Sequence, residues 1–353
     1  MNDSRINLES LLLSYYIKYD RLVALCNMAL SDIQSPLVDI YVDLYDMLKP
    51  IYTRDVYSNK RFIITSSIIN LAAHLRGYFW SRHRLMTKIF LVYGESSTMQ
   101  HKIFYPTFGD DEFKNTLGYG NNNKLITDQL ELVKILCGYI NDVYYVNKKS
   151  SFSMFVYDNI TREVNNIPAI ILSKSRYCYQ LPALYSNVKI FRPKKSNRED
   201  ISYVVSSSNI YRNYYNKITS NNTLDILSTI SPYLLNVMIT LTGIPSYNMN
   251  SIVNVTTASK MVIDAINNHR IIDGYNSDPD LIYKALIGID KYVDSTLFKY
   301  RFNAIDLPTQ HRIYNSTPEA RDMLWYINLN DPETMKSINN KYFIDNTLDL
   351  NNL

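Results

Sequence analysis

The chain has 353 residues, 46% hydrophobic and 20% charged, enough apolar content for a sizeable core in one large or two modest domains. A net charge of +4 permits nucleic-acid binding but excludes a polybasic DNA-coating protein. Three cysteines, Cys26, Cys137 and Cys178, are odd in number and far apart, which argues against a disulfide scaffold and for buried free thiols in a reducing compartment.

The first residues are polar and no stretch reads as a membrane span, so neither a secretion signal nor a membrane is expected. Thirty-one tyrosines against nine glycines is a bias typical of AT-rich coding sequence, such as that of large DNA phages and other AT-rich viruses. The cytoplasm of an infected host cell, or a virion, is the expected location.

Residues 1–58 are expected to be helical. Leu8, Leu11, Leu12, Tyr15, Tyr16 and Tyr19 recur at helical spacing, and Leu22, Leu25, Cys26, Ala29 and Leu30 continue the stripe. Val38, Ile40, Tyr41, Leu44, Tyr45 and Leu48 suggest a second helix, stopped at Pro50. A strand is expected over 61–67, then a helix over 68–84 with Arg76, Arg82, His83 and Arg84 near its end. A strand over 88–94 follows, then a loop at Asn121 to Asn123, a helix over 128–139 and a strand over 142–146. Serines at 150 and 153 suit a helix start. Behind Pro168, the short apolar run 169–173 reads as a strand buried on both faces, with a short helix at 179–181 and a strand over 188–191. A basic loop with Lys194 and Lys195 leads to a strand over 201–206. Helices are expected over 220–242 and 253–266, and a polar tail from 309 with one helix over 317–326.

Ala169 to Ser173, then Gln180-Leu181, then Asn187-Val188-Lys189 resembles the core of the structure-specific 5′ nucleases. That family includes flap endonucleases, phage-type RNase H and the 5′→3′ exonuclease domain of DNA polymerase I. The resemblance continues in order over about residues 60–308. It implies a PIN-like α/β domain (59–210) with a mostly parallel sheet, an added N-terminal helical extension (1–58), a helical subdomain (211–310) containing a degenerate helix–three-turn–helix, and a tail (311–353). His101 to Phe108 is similar to the family's arch entrance, but the acidic Asp110-Asp111-Glu112 replaces its basic continuation.

In that family, aspartates and glutamates at strand and helix ends hold Mg²⁺, a hard cation that demands oxygen ligands. The corresponding positions here are Thr65, Gly94, Ser150, Phe152, Ser153, Ser175, Tyr177, Ile244 and Tyr247, and none is acidic. Glu95 lies one residue past a strand end, where a side chain points the other way. The glycines of the DNA-gripping hairpin are replaced by Asn254 and Thr256, which weakens a backbone cradle for phosphate. Candidate nucleic-acid contacts are Arg76, Arg82, Arg84, Lys194, Lys195, Asn248, Thr257, Ser259 and Lys260.

No Cys/His metal spacing, Walker loop or dinucleotide fingerprint occurs. The expectation is a pseudonuclease without metal or other cofactor, whose partners are DNA or proteins of a viral replication, transcription or packaging machinery. The alternatives are an interaction subunit indifferent to DNA and an active Mg²⁺-dependent nuclease with relocated ligands.

Overall fold

The computed structural model describes residues 36–44, 48, 63–94, 123–148, 152–163, 166–173, 175–192, 203–215, 221–244, 249–272 and 274–316. Chain contacts divide them into two compact units that meet in sequence at Asn213 and Tyr214.

The first unit is built on β1 (Leu37–Asp43). Val38, Ile40 and Val42 face one side, and Asp39, Tyr41 and Asp43 face the other, all six buried. Parallel to β1 on either side run β2 (Met86–Gly94) and β4 (Ala169–Leu172). Beyond them lie β3 (Val143–Lys148) and β5 (Val188–Arg192), also parallel, and the antiparallel edge strand β6 (Tyr203–Val205). The sheet order is β3-β2-β1-β4-β5-β6. The mostly parallel α/β sheet flanked by helices that the sequence predicts is found, with a correction at its start. Residues 37–43, expected as helix, form a central strand. Residues 1–35 lie outside the described residues.

A second correction follows from the first. The run at 63–67, expected as the first strand, opens the long helix α1 (Ile63–His83). Ile64, Ile68, Leu71, Ala72, Leu75 and Phe79 form its buried stripe against Val38, Ile40 and Val42, completed by Leu130, Val133 and Cys137 of α2 (Asn123–Cys137). The start of α1 is closed by Gln129. Its Oε1 accepts the Ile64 and Thr65 N–H groups at 2.9 and 3.2 Å, and Thr65 Oγ1 donates to its carbonyl at 3.0 Å. Helix-start N–H groups lack partners within the helix, so this buried amide stabilises α1 and locks α2 to it.

On the other face lies α3 (Phe152–Arg162). Tyr41, Phe90 and Tyr144 stand in register across β1, β2 and β3, with ring centroids 4.9 and 5.3 Å apart. Phe155 of α3 meets Tyr41 and Phe90 edge-on at 6.3 Å. After β4 come a 3₁₀ turn (Arg176–Tyr179) and the short helix α4 (Gln180–Leu184); α5 (Ile210–Tyr214) carries the chain out of the unit.

The second unit is helical: α6 (Asn221–Ser228), α7 (Leu235–Thr242), α8 (Val255–Asn267), α9 (Pro279–Ala285), α10 (Ser295–Ile305) and α11 (Leu307–Ser316). The single helix expected over 220–242 is two, because Pro232 cannot continue the first and starts a 3₁₀ turn instead. α7 is buried all round. The expected tail begins with buried structure, since Thr309 and Gln310 of α11 are covered. The helix expected over 317–326 lies outside the described residues. At the α10–α11 junction, fully buried Asp306 accepts from Asn236 Nδ2 (2.7 Å), Tyr275 Oη (2.8 Å) and Thr309 N (3.0 Å). Burial raises its carboxyl pKa, and these donors oppose the rise.

Candidate functional site

Open α/β sheets bind ligands beyond the carboxyl ends of their strands, where the strand order reverses. Here the order reverses between β1 and β4. Asp43 ends β1, and Ser173 directly follows β4. Ser173 Oγ donates to Asp43 Oδ2 at 2.7 Å and accepts the Ser175 N–H at 3.0 Å. Both Asp43 and Ser173 are buried, at 4% and 1% exposure. The acid at the end of the first strand is Asp43; Thr65 lies at the start of α1 and serves the α1–α2 contact. Sequence reasoning missed Asp43; the signal was the alternation of Val38, Ile40 and Val42 ending on an acid.

The remaining described positions have packing or pairing roles. Gly94 ends β2 and pairs with Lys148 at the end of β3. Phe152 and Ser153 are buried in the first turn of α3, and Tyr177 is buried in the 3₁₀ turn that Ser175 precedes. Ser150 and Tyr247 lie outside the described residues. Ile244, buried, forms an antiparallel bridge with Met249, their N–H···O distances 3.0 and 3.2 Å. The bridge is entered through Gly243 at φ 68°, where a Cβ would stand 2.4 Å from the Met249 carbonyl oxygen. Arg301, buried, anchors the returning strand by donating to the Asn250 carbonyl. Burial lowers its pKa to about 10, so it stays a cation at neutral pH.

A two-metal centre needs several convergent carboxylates. Among the described residues no group of three or more His, Cys, Asp or Glu converges, and Asp43 already accepts a hydroxyl proton. The described residues alone do not make up such a centre.

The candidate DNA contacts fall in separate places. α1 runs back from the carboxyl edge of the sheet to the start of β2, which puts Arg76 and Arg84 at the edge opposite Asp43. Arg76 donates to the Asn141 carbonyl at 2.7 Å and pairs with Asp142 at 3.8 Å. Arg84 stands over the Trp80 ring, 5.8 Å from its centroid. In the second unit, Asn254 caps α8 by accepting the Thr257 N–H, so the hairpin glycine's place is taken by a helix cap. Ser259 turns inward, fully buried, and donates to the Val255 carbonyl, which corrects its reading as a surface contact. Lys260 is exposed. Lys194, Lys195, Asn248 and the Arg82 side chain lie outside the described residues. Among those residues, no helix is long and apolar enough to cross a membrane.

No family profile and no curated protein sequence matches the chain. Solved structures similar to it come from bacteriophage T5. The T5 D15 protein co-crystallised with metal ions has a TM-score of 0.47 at 11% identity, covering 85% of this chain and 99% of that one. A T5 flap endonuclease pseudo-enzyme–product complex with DNA and metal ions has a TM-score of 0.44 at 12% identity, covering 85% and 99%. The T5 5′-exonuclease with zinc bound has a TM-score of 0.44 at 12% identity, covering 82% and 97%. The metal ions and DNA named there belong to those proteins. The chain has an α/β fold: a mostly parallel six-stranded sheet flanked by helices and followed by a helical region.

Proposed function

We propose that this is a catalytically inactive 5′-nuclease-fold protein that serves as a DNA-binding or scaffolding subunit. The observation that supports this reading is the switch point of the sheet, where Asp43 is held by Ser173 and the surrounding positions are Gly94, Lys148, Phe152, Ser153, Ser175 and Tyr177. Each has a packing or pairing role in place of a metal-ligating one. Exposed Arg84 and Lys260 are retained cations that suit a phosphate backbone. The AT-rich compositional bias supports a phage or other viral setting, in replication, transcription or packaging.

A second reading, an interaction subunit indifferent to DNA, is favoured by Ile135, Leu136 and Tyr139 near the end of α2. They are 55%, 40% and 84% exposed, an apolar patch suited to a protein partner. Fluorescence anisotropy with labelled flap and duplex DNA across a salt series separates the two. Affinity that falls steeply with salt supports the DNA-binding reading. No binding at low salt overturns it in favour of a protein partner.

A further inference from the structure

At the opposite edge of the sheet from Asp43, a cavity of about 280 Å³ opens between the start of β1 and the segments that follow α3 and α4. Its floor is Asp39, only 7% exposed. Asp39 Oδ2 receives a long hydrogen bond from Tyr41 Oη at 3.4 Å, and Oδ1 has no hydrogen-bond partner among the described residues. A buried carboxylate oxygen without a donor is costly, and its presence at the wall of a cavity points to a ligand that supplies one. The wall also carries Glu163 and Tyr185. Its rim is fixed: Asn187 Nδ2 donates to Asn166 Oδ1 at 2.9 Å and to the Ile167 carbonyl at 3.1 Å, with Asn166 in the left-handed region at φ 52°.

We propose that this cavity binds a small organic cation, an alkylammonium or guanidinium head, through Asp39 with Glu163 and the Tyr185 ring. An ammonium supplies the missing donor to Asp39 Oδ1, both carboxylates attract its positive charge, and an aromatic ring adds to that attraction. No group of three or more His, Cys, Asp or Glu that could hold a metal ion converges here among the described residues. The charged and titratable groups facing Asp39 are Lys88 from β2, Glu163 after α3, and Tyr41 beside it on β1. Burial raises the Asp39 pKa to about 6. Cation affinity should therefore rise about tenfold from about pH 5 to about pH 7 as Asp39 ionises.

Calorimetric titration of the full chain with butylamine, methylguanidine and the neutral analogue 1-butanol tests this. The expected result is binding of one or both cations, no binding of butanol, the pH dependence above, and at least a tenfold loss in Asp39→Asn. Glu163→Gln provides a second variant at the cavity wall, with weaker cation binding expected. If butanol binds as well as the cations, if neither cation binds, or if Asp39→Asn binds them unchanged, the proposal is overturned. Competition by a lysine- or arginine-bearing peptide would identify a protein side chain as the source of the cation, and its failure a free amine; both outcomes require that the cation site exists.

Discussion

The Ser173 hydroxyl donates to the Asp43 carboxylate across 2.7 Å, joining the ends of β4 and β1 where the strand order reverses. In a sheet of this kind that is where a ligand site is expected. Here the position is closed by a hydrogen bond inside the protein. Ser173→Ala and Asp43→Ala should each destabilise the fold by about 1–3 kcal/mol, since each leaves a buried polar partner short of a hydrogen bond. The double variant should cost less than the sum, because it removes both groups together. Urea unfolding of the four proteins measures the coupling.

Asp39 makes stability depend on pH in a defined direction. Burial raises its pKa from 3.8 to about 6, so the folded state binds this proton more tightly than the unfolded chain does. The contribution is full below about pH 4 and is lost as pH rises through about 6. The shift corresponds to about 3 kcal/mol. Asp39→Asn should therefore be more stable than the parent by about 3 kcal/mol above neutrality and nearly equal to it below about pH 4. Denaturation midpoints across that range check the sign.

Gly243 is required by backbone geometry. It sits at φ 68° and ψ −179°, and an added Cβ would press on the Met249 and Asn250 carbonyl oxygens at 2.4 and 2.6 Å. Both are main-chain atoms tied by the Ile244–Met249 bridge and by Arg301, so neither can yield cheaply. Gly243→Ala should cost about 3 kcal/mol. A thermal melt lowered by several degrees is the expected observation.

Asp306 holds the second unit together through α7, the segment containing Tyr275, and the start of α11. Asp306→Ala leaves three donors without their acceptor and should cost about 3 kcal/mol or more. Tyr275→Phe removes one of the three and should cost about 1 kcal/mol. Hydrogen exchange should show the loss concentrated in α7 and α11.

The sequence was most legible where one physical signal acted alone. Ala169–Leu172, buried on both faces, reads as a strand because it is short, apolar and bounded by proline. Met86–Gly94 and Val188–Arg192 are legible for similar reasons. The first strand was not. Asp39 and Asp43 lie in a central strand, where acids are unexpected, and Tyr41, Leu44 and Tyr45 happen to fall at helical spacing. Once residues 37–43 are assigned to helix, the β-rich run at 63–67 stands in as the first strand and Thr65 is placed at a strand end instead of a helix start. Only the pairing partners on both sides of β1 remove that ambiguity. The Asp39 cavity was illegible for another reason: Asp39, Glu163 and Tyr185 are brought together by tertiary structure and share no local motif.

The most direct test of the central claim is cleavage of end-labelled flap and duplex DNA under single-turnover conditions with Mg²⁺ and then Mn²⁺, alongside an Asp43→Asn control. The account predicts no product above that from the metal buffer alone, and identical traces for the two proteins. Metal-dependent cleavage that Asp43→Asn abolishes would contradict it, and would show that Asp43 works with acids supplied from elsewhere in the chain.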